Sequence, residues 1–180
     1  TLGERVESIG FPGSFRYEER YEGRGWSWLL LPGAGYDDAS SGNVVDTDVR
    51  VYMERLLHRK TLPILRAWLD GVASAYESGS ADVDGNMVTL VAVGISGATT
   101  TLGIDPRTGR IRSASWRGRT ASGIGSVEHR YSDYRCAAGL ILPFRFAVFE
   151  NGKQRHSPIV TIESIAVSEE ADDTMFRAPR

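Results

Sequence analysis

The chain has 180 residues, of which 41% are hydrophobic and 24% are charged, and its formal net charge is −2. This composition is typical of a globular protein and excludes the disordered, collagen-like and membrane-spanning classes. A net charge this close to zero provides no field that would attract nucleic acid, so nucleic acid is excluded as a partner. The length suits one core, and we expect a single domain over residues 1–180.

The single cysteine and the start of the chain bear on its cellular compartment. Cys136 has no second cysteine to pair with, which excludes an internal disulfide and a zinc site built from cysteines. The chain begins at Thr1 without a methionine and without a charged and then apolar leader. That start is expected either of a secreted protein whose signal has been removed or of a segment of a longer protein.

Two strands and a loop are predicted first along the chain. Residues 14–21 alternate apolar and charged side chains with a period of two, which predicts a half-buried strand. Residues 26–31 repeat the pattern after two glycines, so the two strands form a hairpin. Residues 32–43 are rich in Gly, Asp and Ser and are predicted to be a loop.

Two amphipathic helices in series are predicted next. Apolar residues at three- and four-residue spacing, behind possible caps at Asp46 and Thr47, indicate a helix that ends near Lys60. Thr61 caps a second helix, which has Pro63 in its first turn and ends at Gly71. The apolar stripe of this second helix is predicted to face inward and consists of Leu62, Leu65, Trp68 and Leu69.

The rest of the chain is predicted to be an antiparallel sheet, because turn signals recur about every dozen residues and there is no alternation of strands with helices. The predicted strands cover residues 72–77, 87–95, 99–105, 110–116, 126–136, 142–150 and 159–167. The strands at 87–95 and 142–150 are apolar on both faces, which predicts that both of their faces are covered. We expect the two helices to cover one side of a curved sheet.

Motifs in the C-terminal half resemble a known family. They read GIDPRTGRI at 103–111, YSDYR at 131–135, GLILPFRF at 139–146, IESI at 162–165 and DTMFRAP at 173–179. These turn and strand-end motifs are similar to those of the outer-membrane lipoprotein-sorting superfamily, which includes the periplasmic lipoprotein carrier. The first half fits the family in its order of strands, then helices, then strands.

The resemblance implies a fold and a location. The fold is mainly β with helices (α+β), a half-open antiparallel β-barrel of about nine to eleven strands whose concave face is covered by helices. The best-known members hold acyl chains there without a cofactor. The location implied is the periplasm or cell envelope.

The residues that would carry chemistry show no catalytic or metal-binding spacing. His58, His129 and His156 lie in a helix, a strand and a turn and lack the spacing of a zinc motif. The serine motifs lack the nucleophile elbow, and the glycines over 118–125 are expected at a hairpin tip and not in a phosphate loop. The paired acids are expected to face water, and they are Asp37-Asp38, Glu169-Glu170 and Asp172-Asp173. We therefore predict no enzymatic activity, no metal and no cofactor.

Large apolar side chains on inward-facing positions are the candidate ligand-binding residues. They are Phe15, Tyr17, Trp26, Trp28, Met53, Leu57, Leu65, Trp68, Trp116, Phe144 and Phe146. One interpretation is that these side chains pack a closed core, which is the usual place of aromatic stripes. The other is that they line a space between sheet and helices for an apolar ligand, with Arg16, Arg20 and Arg145 meeting a polar head at the rim.

Three hypotheses of function follow. The first is sequestration of a hydrophobic small molecule or acyl chain between a curved sheet and a helical lid. The alternative is a non-enzymatic structural or protein-interaction module with a filled core, attached to an envelope enzyme or meeting another envelope protein. An enzyme is third, and it would require a buried cluster of titratable residues with shifted pKa values.

Overall fold

The structure is a computed structural model that describes residues 3–37, 42–137, 139–155, 159–168 and 175–178. The chain divides into two compact units. Unit 1 comprises Thr1–Pro63 and Ser168–Arg180, and unit 2 comprises Ile64–Val167. The division falls inside the second helix. A single domain over the whole chain stays a prediction.

Unit 1 contains a four-stranded antiparallel sheet and one helix. The strands β1 (Glu4–Gly10), β2 (Ser14–Tyr21), β3 (Arg24–Leu31) and β4 (Ala34–Tyr36) lie side by side in chain order, and the helix is α1 (Thr47–His58). The predicted hairpin is therefore confirmed as β2 and β3. Strand β1 was not predicted, and β4 lies in the segment that was predicted to be only a loop.

The helix α1 packs its apolar side on the sheet of unit 1. Its N-cap is Asp46, whose carboxylate accepts a hydrogen bond from the Val49 backbone N–H at 2.9 Å. Because such a cap satisfies an amide that has no partner within the helix, the predicted start is confirmed. Met53 and Leu57 pack with Phe15 and Leu30 in a buried cluster.

Unit 2 contains an open eight-stranded antiparallel sheet. The helix α2 (Thr61–Leu69) starts three residues before the unit begins and ends before Gly71, as predicted. The sheet consists of β5 (Ser74–Val83), β6 (Asn86–Ile95), β7 (Ala98–Ile104), β8 (Ile111–Thr120), β9 (Gly123–Ala137), β10 (Leu140–Glu150), β11 (Lys153–Gln154) and β12 (Val160–Thr161). Strands β5 to β11 pair in chain order, and β12 pairs with β10.

The mainly β fold with two helices is confirmed, and a half-open sheet fits it, but the strands that the structure describes do not close into a barrel. Strands β1 to β4 pair with one another in a separate sheet, so the described strands belong to two sheets and not to one. The physical reason is local, since short turns let each of these strands pair with its neighbour in sequence. The strand predicted over 159–167 is paired only at Val160–Thr161.

The glycines over 118–125 lie mostly in the ladder of β8 and β9. Gly118 pairs with Gly125, and Thr120 pairs with Gly123, so the turn itself is only two residues long. Their expected position at a hairpin tip is therefore correct only for the end of this segment. Both neighbours of the turn are strands, which leaves no helix N-terminus to hold a phosphate.

The turn between β7 and β8 is built around the buried residue Asp105, which is 2% exposed. Its backbone N–H donates to the Arg110 carbonyl at 2.9 Å, and its own carbonyl accepts from the Gly109 N–H at 2.8 Å. Its carboxylate accepts from the Arg107 N–H at 2.9 Å and from Arg112 Nη2 at 3.3 Å. The predicted turn is confirmed, and the Arg107 N–H foremost lowers the pKa of this carboxyl.

We expect Asp105→Asn to lower the denaturation midpoint, because the amide cannot pair with Arg112 as a carboxylate does. The folded-state pKa is depressed, so this stabilisation is present above about pH 4 and is lost as the pH falls through the folded pKa. Urea denaturation across acidic pH should therefore show a shallower loss of stability in the variant. An equal loss in both proteins would contradict this, and Asp70→Asn, at an exposed ion pair, is the control.

Candidate functional site

The exposed side of α2 carries several large apolar side chains. Leu65, Trp68 and Leu69 lie on one side of the helix and are 39%, 56% and 81% exposed. Val72, which follows the helix, is 69% exposed. We call these four residues the α2 patch. Large exposed apolar surfaces on a globular protein usually mark a place where something binds.

The opposite side of α2 holds the helix on the sheet. Ile64 and Ala67 are buried in one cluster with Val93, Ile95, Leu102 and Ala114. Because the helix has apolar residues on two faces, the sequence pattern does not determine which face meets the sheet, and Ile64 and Ala67 are the ones that do. The prediction that Leu65, Trp68 and Leu69 face inward is therefore wrong.

The end of α2 is fixed by backbone hydrogen bonds. Gly71 adopts a φ of +69°, which closes the helix, and the Val72 N–H donates to the Ala67 carbonyl at 3.0 Å. An ion pair of 2.8 Å between Arg66 and Asp70 lies on the exposed last turn. The patch is therefore carried by an ordered helix end and its cap.

A cluster of four rings lies on the sheet of unit 2. The His129 ring is 4.8 Å from Trp116, 4.6 Å from Phe146 and 6.3 Å from Tyr131 by ring centroids. The strand register aligns them, since Trp116 pairs with Val127, two residues from His129 on the same face of β9, and Tyr131 pairs with Phe146 across β9 and β10. All four rings are half-buried, and Trp116 and Tyr131 pack against the core that holds α2.

The aromatic residues of unit 1 form a packed core. Phe15 is 1% exposed and Met53 is 0% exposed, and Tyr17 and Trp28 pack against them with their own rings 5.5 Å apart. Tyr52 lies edge-on to Trp28 at 6.3 Å. Here the interpretation of the apolar stripe as a filled core describes the packing.

A row of charged residues borders that core. The Tyr17 hydroxyl donates to Glu19, and burial, with the Glu19 carboxylate second, raises the pKa of Tyr17. Arg5 lies over the Tyr17 ring at 5.2 Å and within 3.8 Å of Glu7, and Lys60 pairs with Glu7 at 2.6 Å. Each of these groups is engaged in a structural contact, so the row supports the sheet and the end of α1.

The structure distributes the predicted ligand-binding residues over both units. Phe15, Tyr17, Trp26, Trp28, Met53 and Leu57 belong to unit 1, and Leu65, Trp68, Trp116, Phe144 and Phe146 belong to unit 2. Trp26 is 46% exposed, whereas Phe144 is 5% exposed and lies under the Arg135 guanidinium at 4.9 Å. A ligand-binding role for these residues stays a prediction.

The predicted polar rim residues have different surroundings. Arg16 pairs with Glu18 at 2.6 Å and reaches the Met175 carbonyl, and Arg145 is exposed on β10. Arg20 lines a cavity of about 90 Å³ on unit 1 with Glu4, Val6 and Glu18. This volume is small beside the several hundred Å³ of a ligand pocket, and none of the predicted apolar ligand residues lines the cavity.

The titratable groups do not form a metal centre among the residues that the structure describes. Burial lowers the pKa of His58 on α1, and His129 belongs to the ring cluster. His156 and the pairs Glu169-Glu170 and Asp172-Asp173 lie outside the described residues, as does Asp38. Among the described helices, none has the length and apolar character to cross a membrane.

Sequence reasoning missed two groups of residues. It placed Val72 in a strand and passed over His129 and Tyr131 as partners of Trp116. The sequence did contain a clue to the ring cluster, because adjacent antiparallel strands joined by a short turn bring residues of the two strands side by side. What the sequence did not show was the register, that is, which residues of β8, β9 and β10 pair with one another.

Comparisons with known proteins add a structural neighbour. No protein-family model matches the sequence, and no curated protein matches it. The structure is similar to the crystal structure of an outer membrane lipoprotein-sorting protein domain from Vibrio parahaemolyticus, with a TM-score of 0.42 and 10% identity. The match covers 92% of this chain and 72% of that one. A similarity at this level says nothing about ligand or activity.

The two faces of α2 predict opposite results on truncation. Ile64→Ala should lower the free energy of unfolding by about 2–4 kcal/mol, because it removes buried methylenes and leaves a cavity. Leu69→Ala should change it by less than about 0.5 kcal/mol, because the side chain is 81% exposed. Chemical denaturation of both variants is the measurement, and equal losses would contradict the orientation of the helix.

Proposed function

We propose that this protein is a non-enzymatic binding protein of the cell envelope that takes an apolar chain, such as the acyl chain of a lipid, onto the α2 patch. The single observation that carries the proposal is that α2 keeps Trp68 and Leu69 more than half exposed while Ile64 and Ala67 hold the helix on the sheet. The envelope location is supported by the sequence resemblance to lipoprotein-sorting proteins.

The energetics favour an apolar chain as the occupant. Removing apolar surface from water stabilises a complex by about 25 cal/mol per Å², or about 0.8 kcal/mol for each fully buried methylene. A chain lying along the patch also covers the Trp68 ring, so both partners lose exposed apolar area. Association and ordering of the chain cost several kcal/mol, which leaves a moderate affinity and a reversible complex.

The position of the ligand differs from the space first expected between a sheet and a lid. Ile64 and Ala67 already fill the contact between α2 and its own sheet, so a chain entering there would displace buried side chains. The outer side of the helix needs no such opening. The half-buried rings of Trp116 and Tyr131 pack against the same core and stiffen the sheet under α2.

The titratable groups with shifted pKa values have structural contacts, which is consistent with a binding role. Tyr17 in unit 1 and Asp105 in unit 2 each have structural hydrogen-bond partners, and they belong to different units. The contacts of Tyr17 with Glu19 and of Asp105 with Arg112 each form part of the packing of their own unit. The proposed function therefore includes no catalytic step.

A protein partner is the second candidate function. The packed core of unit 1 and an exposed tryptophan in unit 2 suit an interaction module, because Trp is enriched among the residues that dominate protein interfaces. The two functions differ in what binds Trp68. An acyl chain binds it without any other macromolecule present.

Trp68→Ala should weaken binding of decanol at least about fivefold, since the indole supplies the largest apolar contact of the patch. Isothermal titration of the purified protein with decanol is the measurement. Ile124→Ala is the matched control, because Ile124 is 64% exposed elsewhere in unit 2. The control should bind decanol as the unmodified protein does.

Equal decanol affinity in the Trp68 variant and the unmodified protein would remove the patch as the ligand site. No uptake of decanol by the unmodified protein would leave the protein-interaction module as the better account. The unfolding midpoint of Trp68→Ala, measured alongside, shows that any loss of binding is not a loss of fold.

A further inference from the structure

The sheet of unit 1 has a second face, which points away from α1. Phe15 and Leu30 pack with α1, and side chains alternate between the two faces of a strand. Their neighbours Arg16 and Leu29, which pair with each other across β2 and β3, therefore point to the second face. We call it the outer face of unit 1. Leu29 is 0% exposed, so other parts of the chain cover the outer face at this point.

Residues 175–176 contact the outer face. The Met175 carbonyl accepts a hydrogen bond from Arg16 Nη1 at 3.3 Å. The Phe176 ring lies against Gly10, which is on the outer face because its neighbour Ile9 packs with α1. A methyl group added at Gly10 would lie 3.0 Å from the ring, closer than the usual carbon contact of about 3.5–4.0 Å. The ring thus occupies a place that a glycine leaves open, and we call this place the Gly10 slot.

The segment that fills the Gly10 slot lies lightly on the sheet. Residues 175–178 are not part of a described strand, and Met175 is 44% exposed. Arg177 and Ala178 are exposed as well, whereas Phe176 is half-buried. A segment that relies on one ring and an exposed hydrogen bond opens at a low cost in free energy.

The outer face has further room near the slot. The cavity of about 90 Å³ described above lies on this face and is lined by Glu4, Val6, Glu18 and Arg20. Glu18 pairs with Arg16 at 2.6 Å, so the cavity adjoins the residue that binds the Met175 carbonyl. One water needs about 10–15 Å³ of such space, so a side chain of a longer ligand has several waters to displace there.

We propose that the outer face of unit 1 binds an extended peptide segment of a partner protein, which inserts an aromatic side chain into the Gly10 slot and displaces residues 175–178. The segment bound in cis indicates the chemistry that the site takes, namely a phenylalanine ring in the slot and a backbone carbonyl at Arg16. Because a tethered segment competes at an effective concentration on the order of millimolar, it keeps weak ligands out. The site belongs to unit 1 and is independent of the α2 patch and of the proposed function.

The test uses the peptide MFRAPR, which has the sequence of residues 175–180, with both of its termini blocked. Phe176→Ala should bind this peptide at least about tenfold tighter than the unmodified protein does, because its own segment no longer fills the slot and buried aromatic anchors dominate such contacts. Isothermal titration measures both affinities.

A second substitution closes the slot itself. Gly10→Val in the Phe176→Ala background should abolish peptide binding, because the valine side chain takes the place of the ring. Gly13→Val in the same background is the matched control and should keep the affinity, since a Cβ at Gly13 has no atom within 4 Å.

Equal peptide affinity in Phe176→Ala and in the unmodified protein, or binding that survives Gly10→Val, overturns the inference. A folded Phe176→Ala variant that binds no peptide overturns it too, and residues 175–178 then belong only to the packing of unit 1. A dimer of the unmodified protein that Phe176→Ala abolishes would assign the slot to a second copy and overturn the partner protein.

Two further readouts keep the result unambiguous. If Phe176→Ala does not fold, the Gly10 amide signal of the unmodified protein in a ¹H–¹⁵N spectrum should move when the peptide is added in excess, and a fixed signal overturns the inference. Decanol affinity should be equal in Phe176→Ala and in the unmodified protein. Failure of the peptide site and failure of the proposed function are therefore separate results.

Discussion

The contact of Ile64 and Ala67 with the sheet of unit 2 determines which side of α2 is left outside. Burying these two apolar side chains among the core residues of the sheet supplies the free energy that orients the helix. Once those two residues face inward, the geometry of the helix puts Leu65, Trp68 and Leu69 on the outside. The exposed patch is thus a consequence of core packing and not of a loose helix.

The rest of unit 2 supports that contact. The strand order from β5 to β11 follows the chain, so each turn places the next strand beside the last. This meander aligns the ring cluster around His129, and it also places the arginine-bearing turn between β7 and β8, next to core residues Ile104 and Ile111. The ring cluster and this turn are therefore both consequences of the strand order.

The sequence predicted what local signals determine and failed where packing decides. Asp46 and Gly71 mark the helix ends because a cap and a left-handed residue act within a few residues. The inward face of α2 was not predictable from periodicity, since Ile64 and Leu65 are both apolar. Packing against the sheet decides which of the two is buried. Strand β1 was missed because three of its seven residues are charged and four are exposed, which leaves it without an apolar face of period two.

The indole N–H signals of the four tryptophans offer the most direct test of the α2 patch as the ligand site. In a ¹H–¹⁵N spectrum titrated with decanol, the Trp68 signal, assigned with Trp68→Phe, should move to saturation while the Trp26 signal stays in place. Trp26 is exposed to a similar degree but belongs to unit 1, so it controls for nonspecific contact. A Trp68 signal that does not move while decanol binds would contradict the account.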